Sequence, residues 1–119
     1  MIPKEIKIFH QIYQIEIDND YLNKKGEDGS LGEADCNLNI IRLASLHMGE
    51  VVPVGKVFRI LCHEIAHVML AESGKDELYL NEELVDRLSL ALESFLIKNT
   101  TWHEDVPIYQ LSALGEVIP

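Results

Sequence analysis

At positions 63 to 67 the chain reads His63-Glu64-Ile65-Ala66-His67, two imidazoles and a carboxylate at a spacing that can do metal chemistry. Four residues is slightly more than one helical turn, so on a helix His63 and His67 project from one face and can bring two nitrogens to one tetrahedral Zn²⁺. Glu64 lies about 100° round the same helix. From there it can hold a water at the ion without ligating the metal, and take its proton as general base. The flanking residues agree, because Ile60, Leu61, Ile65, Ala66, Val68 and Met69 are all uncharged and bring no further charge into a core. A plainer reading makes the histidines satisfied core residues with Glu64 paired to one of them. That arrangement carries a large desolvation cost unless a metal or an ion pair offsets it.

Two histidines leave zinc short of its usual three protein ligands. In a chain of 119 residues the following helix is the element that can supply the third. It opens Asn81-Glu82-Glu83-Leu84-Val85-Asp86, so Glu82 and Glu83 are both candidates. With Leu84, Leu88 and Leu92 as the middle of the buried stripe, Glu82 falls at its margin beside Val85 and Ser89, while Glu83 points nearly opposite. Glu82 is the better ligand and Glu83 its rival. Asp86, one turn further along that margin, could accept a hydrogen bond from the outer nitrogen of a ligating histidine and fix its tautomer. The bland reading of all three is a solvated acidic first turn.

The elements that must position these residues are legible in outline. Lys4 to Ile17 alternates, with Ile6, Ile8 and Ile12 in one register and Phe9, Tyr13, Ile15 and Ile17 in the other, which predicts a strand bulged where the register changes. Asp18 to Ser30 is polar and reads as a turn or loop. Leu31 to Leu43 resumes strand character, so the first half predicts a small antiparallel sheet connected by hairpins. Gly49, Pro53 and Gly55 mark the change to helix. Lys56 to Glu72, ending at Gly74, is apolar almost all the way round and must be buried. A second helix, N-capped by Asn81 and running to about Lys98, carries a core stripe of Leu84, Val85, Leu88, Ala91, Leu92, Phe95 and Leu96. The expected fold is therefore α+β in a single domain spanning 1–119, with a core at about 4–99 and a tail at 100–119 that holds at most a short helix after Pro107.

Composition excludes other classes. Twenty acidic against ten basic residues give a formal charge of -10, which repels phosphate backbones and anionic lipid surfaces, so neither nucleic acid nor membrane is an expected partner. No apolar run spans a bilayer and no secretory signal is readable at the N-terminus, which makes a cytoplasmic address the expectation. Two cysteines, Cys36 and Cys62, make no disulfide framework. Trp102 reads as a packing lid over the helix pair.

The order of these motifs resembles a known family. HEIAH followed after a short loop by NEELVD looks like the gluzincins, zincin metallopeptidases with a glutamate third ligand, whose thermolysin branch carries Asn-Glu-x-x-x-Asp on the helix after HExxH. A strand hairpin, Leu31-Gly32 with Asp35, Ile41 with Leu43, HExxH, then Glu82 to Ser89, over about Ile6 to Asn99, is similar to small phage and prophage proteins classed as minimal zincin metallopeptidases. The resemblance implies a zincin-like fold, a zinc cofactor, His63, His67 and Glu82 as ligands, Glu64 as catalytic base, and a peptide or protein substrate. Larger gluzincins place a His or Tyr from a second subdomain on the oxyanion, and this chain has no room for one; His103 and Tyr109 in the tail are the candidates, each with a packing role as the alternative. The strand at Leu38 to Leu43 is the expected site of substrate β-addition. The functional expectation is a zinc-dependent peptidase, and the alternative is a zincin-fold binding or regulatory protein with a structural zinc or vestigial activity.

Overall fold

The alternation from Lys4 to Ile17 is two strands and not one bulged strand. In a computed structural model, which describes residues 2–74, 81–104, 110–111 and 117–118, β1 (Glu5–Ile8) and β2 (Gln11–Ile17) form an antiparallel hairpin with Ile8 opposite Gln11. The register change falls at the turn, where Phe9 takes a φ of 53°. The polar stretch after it is not all loop: α1 (Asn19–Asn23) is capped by the Asp18 carboxylate, which accepts from the Tyr21 N–H.

Leu31 to Leu43 likewise divides into β3 (Gly32–Asp35) and β4 (Ile40–Leu43), antiparallel neighbours. The sheet order is β1-β2-β4-β3, and β2 pairs with β4 in parallel, Ile15 opposite Ile41. The expected antiparallel sheet is therefore mixed. α1 and β3 intervene between β2 and β4, and this longer connection lets the chain return in the same direction. Gly49, expected to mark the change to helix, closes a further hairpin of β5 (Leu46–His47) and β6 (Glu50–Val51); Met48 and Gly49 both have positive φ, 51° and 85°, as a two-residue type I′ turn requires. Asn19 and Asn23 hold this hairpin with side-chain bonds to the backbone of Ser45, Leu46 and Met48.

α2 (Val54–Glu72) carries His63 to His67 in its second half, and α3 (Glu82–Asn99) follows it. One flank of α2, Val57, Phe58, Leu61, Ile65 and Val68, packs on Tyr13, Ile41 and Leu43 from the sheet. α3 packs along its other side. Covered on two sides, α2 needs apolar residues nearly all round, and its more open positions Lys56, Arg59, His63 and His67 share one strip, with Ile60 at its edge against β3. The Tyr13 hydroxyl, fully buried, donates to Glu72 at 2.7 Å and ties the end of α2 to β2; burial, reinforced by Glu72, pushes the phenol pKa up.

α3 is turned about its axis relative to expectation. Val85, Ser89 and Leu96 are its buried residues, with Leu92 partly buried beside them, whereas Phe95 is 61% exposed and Ala91 is exposed. A small hydroxyl at Ser89 allows close approach to α2, which an apolar count alone does not weigh. Trp102 packs on the core as expected. In the tail, 101–104 form a bend and turn, β7 (Gln110–Leu111) and β8 (Val117–Ile118) form an antiparallel pair, and the helix expected after Pro107 would start outside the described residues. No helix among the described residues is long and apolar enough to cross a membrane.

β3 approaches α2 closely at Gly32, where a Cβ would sit 2.5 Å from Ile60 Cγ2 and 3.3 Å from a Glu64 carboxylate oxygen. Gly32→Val should therefore destabilise the fold by about 1 to 3 kcal/mol, the range for overpacking a filled interface. Urea titration of the two proteins checks this, and an unchanged midpoint would mean that β3 does not rest on α2.

Candidate metal centre

The cluster is built by two helix features. Within α2 the i, i+4 spacing sets the His63 and His67 rings edge to face with centroids 4.8 Å apart and their Nε2 atoms 3.2 Å apart. At the start of α3 the Asn81 side chain accepts from the Leu84 N–H at 3.1 Å, and this cap fixes the first turn in which Glu82 lies. The Glu82 carboxylate is 3.8 Å from His63 Nε2 and 3.6 Å from His67 Nε2. Ligand atoms of His63, His67 and Glu82 all lie within 4.8 Å of one another, and the three could hold a metal ion. Glu83 points away and pairs with Arg87 at 3.0 Å on the exposed side of α3, which removes it from the cluster. Asp86 Oδ1 lies 3.5 Å from His63 Nδ1, the ring nitrogen facing away from the cluster.

Glu64 sits between α2 and β3 and is 7% exposed. Burial raises its pKa from 4.5 to about 7, Glu33 and Glu82 push it in the same direction, and Lys25 and a hydrogen bond from the Ala34 backbone oppose them. That backbone contact identifies the strand at the site. Ala44 N–H donates to Leu31 C=O at 3.0 Å, so by antiparallel alternation the N–H and C=O of Gly32 and Ala34 face away from β4. β3 is an edge strand of the four-stranded sheet, and its outward side leads to Glu64. The expectation that Leu38 to Leu43 would receive substrate is corrected: β4 is flanked by β2 and β3, so its backbone groups are engaged on both sides, and Leu38 lies outside it at 62% exposure.

Ala34 is therefore a residue beside the site that was not singled out from the sequence, and Gly32, named there only as part of a family-like segment, lies against Ile60 and Glu64. A glycine interrupting a strand pattern is the readable signal, since it marks close approach of another element. The His103 ring lies tilted against Phe58 at 5.9 Å between centroids, and its Nε2 is 3.6 Å from Glu104. Tyr109, the other tail candidate, lies outside the described residues. Cys62 is fully buried, and burial pushes its thiol up to about 12, as for a core residue. No protein-family model, curated protein or solved structure matches this chain.

A carboxyl whose pKa is raised by folding stabilises the fold fully below its unfolded value and loses that contribution as the pH rises through the folded value. The metal-free protein should accordingly lose about 3 kcal/mol between about pH 4.5 and 7 on account of Glu64. Denaturant titrations across that range, run beside Glu64→Gln, check it: the variant should show the shallower decline, and parallel curves would remove the assignment.

Proposed function

We propose that the protein is a zinc-dependent peptidase of zincin-like architecture, with His63, His67 and Glu82 as metal ligands and Glu64 as general base. The observation that carries this reading is the convergence of two Nε2 atoms and a carboxylate beside a separate, buried glutamate. Zinc ligands at about 2.0 to 2.1 Å and tetrahedral angles stand roughly 3.3 Å from one another. The two nitrogens are already 3.2 Å apart, and the Glu82 carboxylate presents one oxygen 3.6 Å from His67 Nε2 and the other 3.8 Å from His63 Nε2, so a small rotation of that carboxylate completes the set. Two imidazole nitrogens and a carboxylate also suit zinc, and three protein ligands are the number found where a coordination position stays open for chemistry.

Zinc bound there would supply Lewis-acid polarisation of a carbonyl and a lowered pKa for a water in its open position. The protein's own groups do the rest. Asp86 Oδ1, 3.5 Å from His63 Nδ1, would favour the proton on that nitrogen and leave Nε2 as the lone-pair donor toward the metal. Glu64, held by the Ala34 N–H, takes a proton from the attacking water and delivers it to the leaving amine. An extended peptide laid along the outward side of β3 would bring its scissile bond against Glu64 and would pair with the Ala34 C=O, since Ser30 Oγ already engages Gly32 C=O at 2.8 Å and the Ala34 N–H holds Glu64. Such a path runs past the open strip of α2, where the ligands lie.

The decisive comparison is wild type against Glu64→Gln on a peptide library. The variant should bind zinc with the wild-type stoichiometry and cleave about 10²- to 10⁴-fold more slowly, the usual worth of a general base. Equal, metal-independent profiles would return the site to a structural or vestigial zinc. Asp86→Asn should weaken zinc binding about 10- to 100-fold in a competitive chelator titration, and unchanged affinity would remove its role.

A further inference from the structure

Beyond the ligand cluster the strip of α2 continues one turn toward the helix start, and there it faces α3 across a groove of about 400 Å³. His63 stands at one end of this groove. Ile60 and Leu90 form apolar walls, Asp86 and Glu93 add two carboxylates, and Arg59 adds one guanidinium. The two partners of the Arg59–Glu93 pair differ in placement. Arg59 has a side chain 67% exposed and reaches Glu93 only with its Nε at 3.5 Å, while the Glu93 side chain is 19% exposed. Glu93 Oε2 is buried and has no hydrogen-bond partner among the described residues. It is the same oxygen that Arg59 Nε approaches at 3.5 Å, a long ion pair that leaves the acceptor without a hydrogen bond.

We propose that this groove is the subsite for a basic side chain of the substrate, lysine or arginine, flanking the scissile bond; the proposal rests on the peptidase reading above. The aliphatic stem of such a residue lies along Ile60 and Leu90, and its cation reaches Glu93 in place of Arg59. A purely apolar side chain of equal length would cover the carboxylate without giving it a donor, and an acidic one would meet two carboxylates against one guanidinium. The net charge of -10 acts in the same sense at longer range by drawing cationic peptides toward the surface.

The test separates charge from shape by using two probes of equal stem length, the hydroxamates of Nα-acetyl-lysine and Nα-acetyl-norleucine, titrated calorimetrically into zinc-loaded protein. Wild type should bind the lysine compound about tenfold more tightly. Glu93→Gln should level the two, and Arg59→Gln, which removes the competing cation, should widen the gap. Equal binding by wild type, a norleucine preference, or a lysine preference that survives Glu93→Gln overturns the subsite. The methylamides of the same two acetylated residues, followed by the backbone amide shifts of Leu90 and Glu93, read the same preference without metal. Cleavage profiles distinguish the two levels of the reading. Glu64-dependent cleavage with no basic preference removes the subsite and leaves the peptidase, whereas lysine-selective binding without Glu64-dependent cleavage removes the peptidase and leaves the subsite.

Discussion

The structure turns on one constraint: a helix covered on two sides carries its polar chemistry on the single strip left open. α2 is held by the sheet on one flank and by α3 on another, so a histidine or carboxylate pointing into either layer would lose its hydration without replacement. His63 and His67 escape by lying on the uncovered strip, at side-chain exposures of 32% and 12%. Glu64 lies at the edge of that strip, against β3, where a backbone N–H meets it. Everything that shapes the cluster follows from keeping this strip narrow and flanked, by the close approach at Gly32 on one side and the capped first turn of α3 on the other.

The acidic excess of the chain acquires a structure in this light. Glu82 stands against both imidazoles and Asp86 against His63, and Glu33 and Glu82 both add to the field at Glu64. Among the described residues Lys25 is the cation that tempers it, and Lys25 is itself bound to Glu33 at 2.8 Å. On β4 Arg42 lies near Glu33, Asp35 and Asp18 and stacks on Tyr21 at 4.3 Å, so its charge is spent within that group. Negative charge concentrated beside two imidazole nitrogens is unfavourable for the protein alone and favourable for a bound divalent cation, which is the physical content of calling the cluster a candidate metal centre.

Much of this was legible along the chain because it is local. The two helices, the Asn81 cap and the shared face of His63 and His67 depend on residues a few positions apart, and helical geometry alone relates them. The preference for Glu82 over Glu83 was legible for the same reason, although the buried face of α3 is turned toward Val85 and Ser89 and not centred on Leu84 and Leu88. The strands were harder. Alternation showed extended chain, but two hairpin turns at Phe9 and Asn39 were absorbed into longer strands, since neither position carries glycine although both take positive φ.

By itself, the sequence determined the residue types, the spacing that puts two imidazoles on one face, and the apolar frame that makes the helix bury itself. Only the tertiary structure decided which strand stands at the edge, which face of α3 meets α2, and what surrounds Glu64. Those choices depend on the parallel pairing of β2 with β4 and on the rotation of α3 against α2, interactions between segments far apart in the chain. Periodicity constrains which face of an element is apolar, and it does not say which neighbour that face will meet.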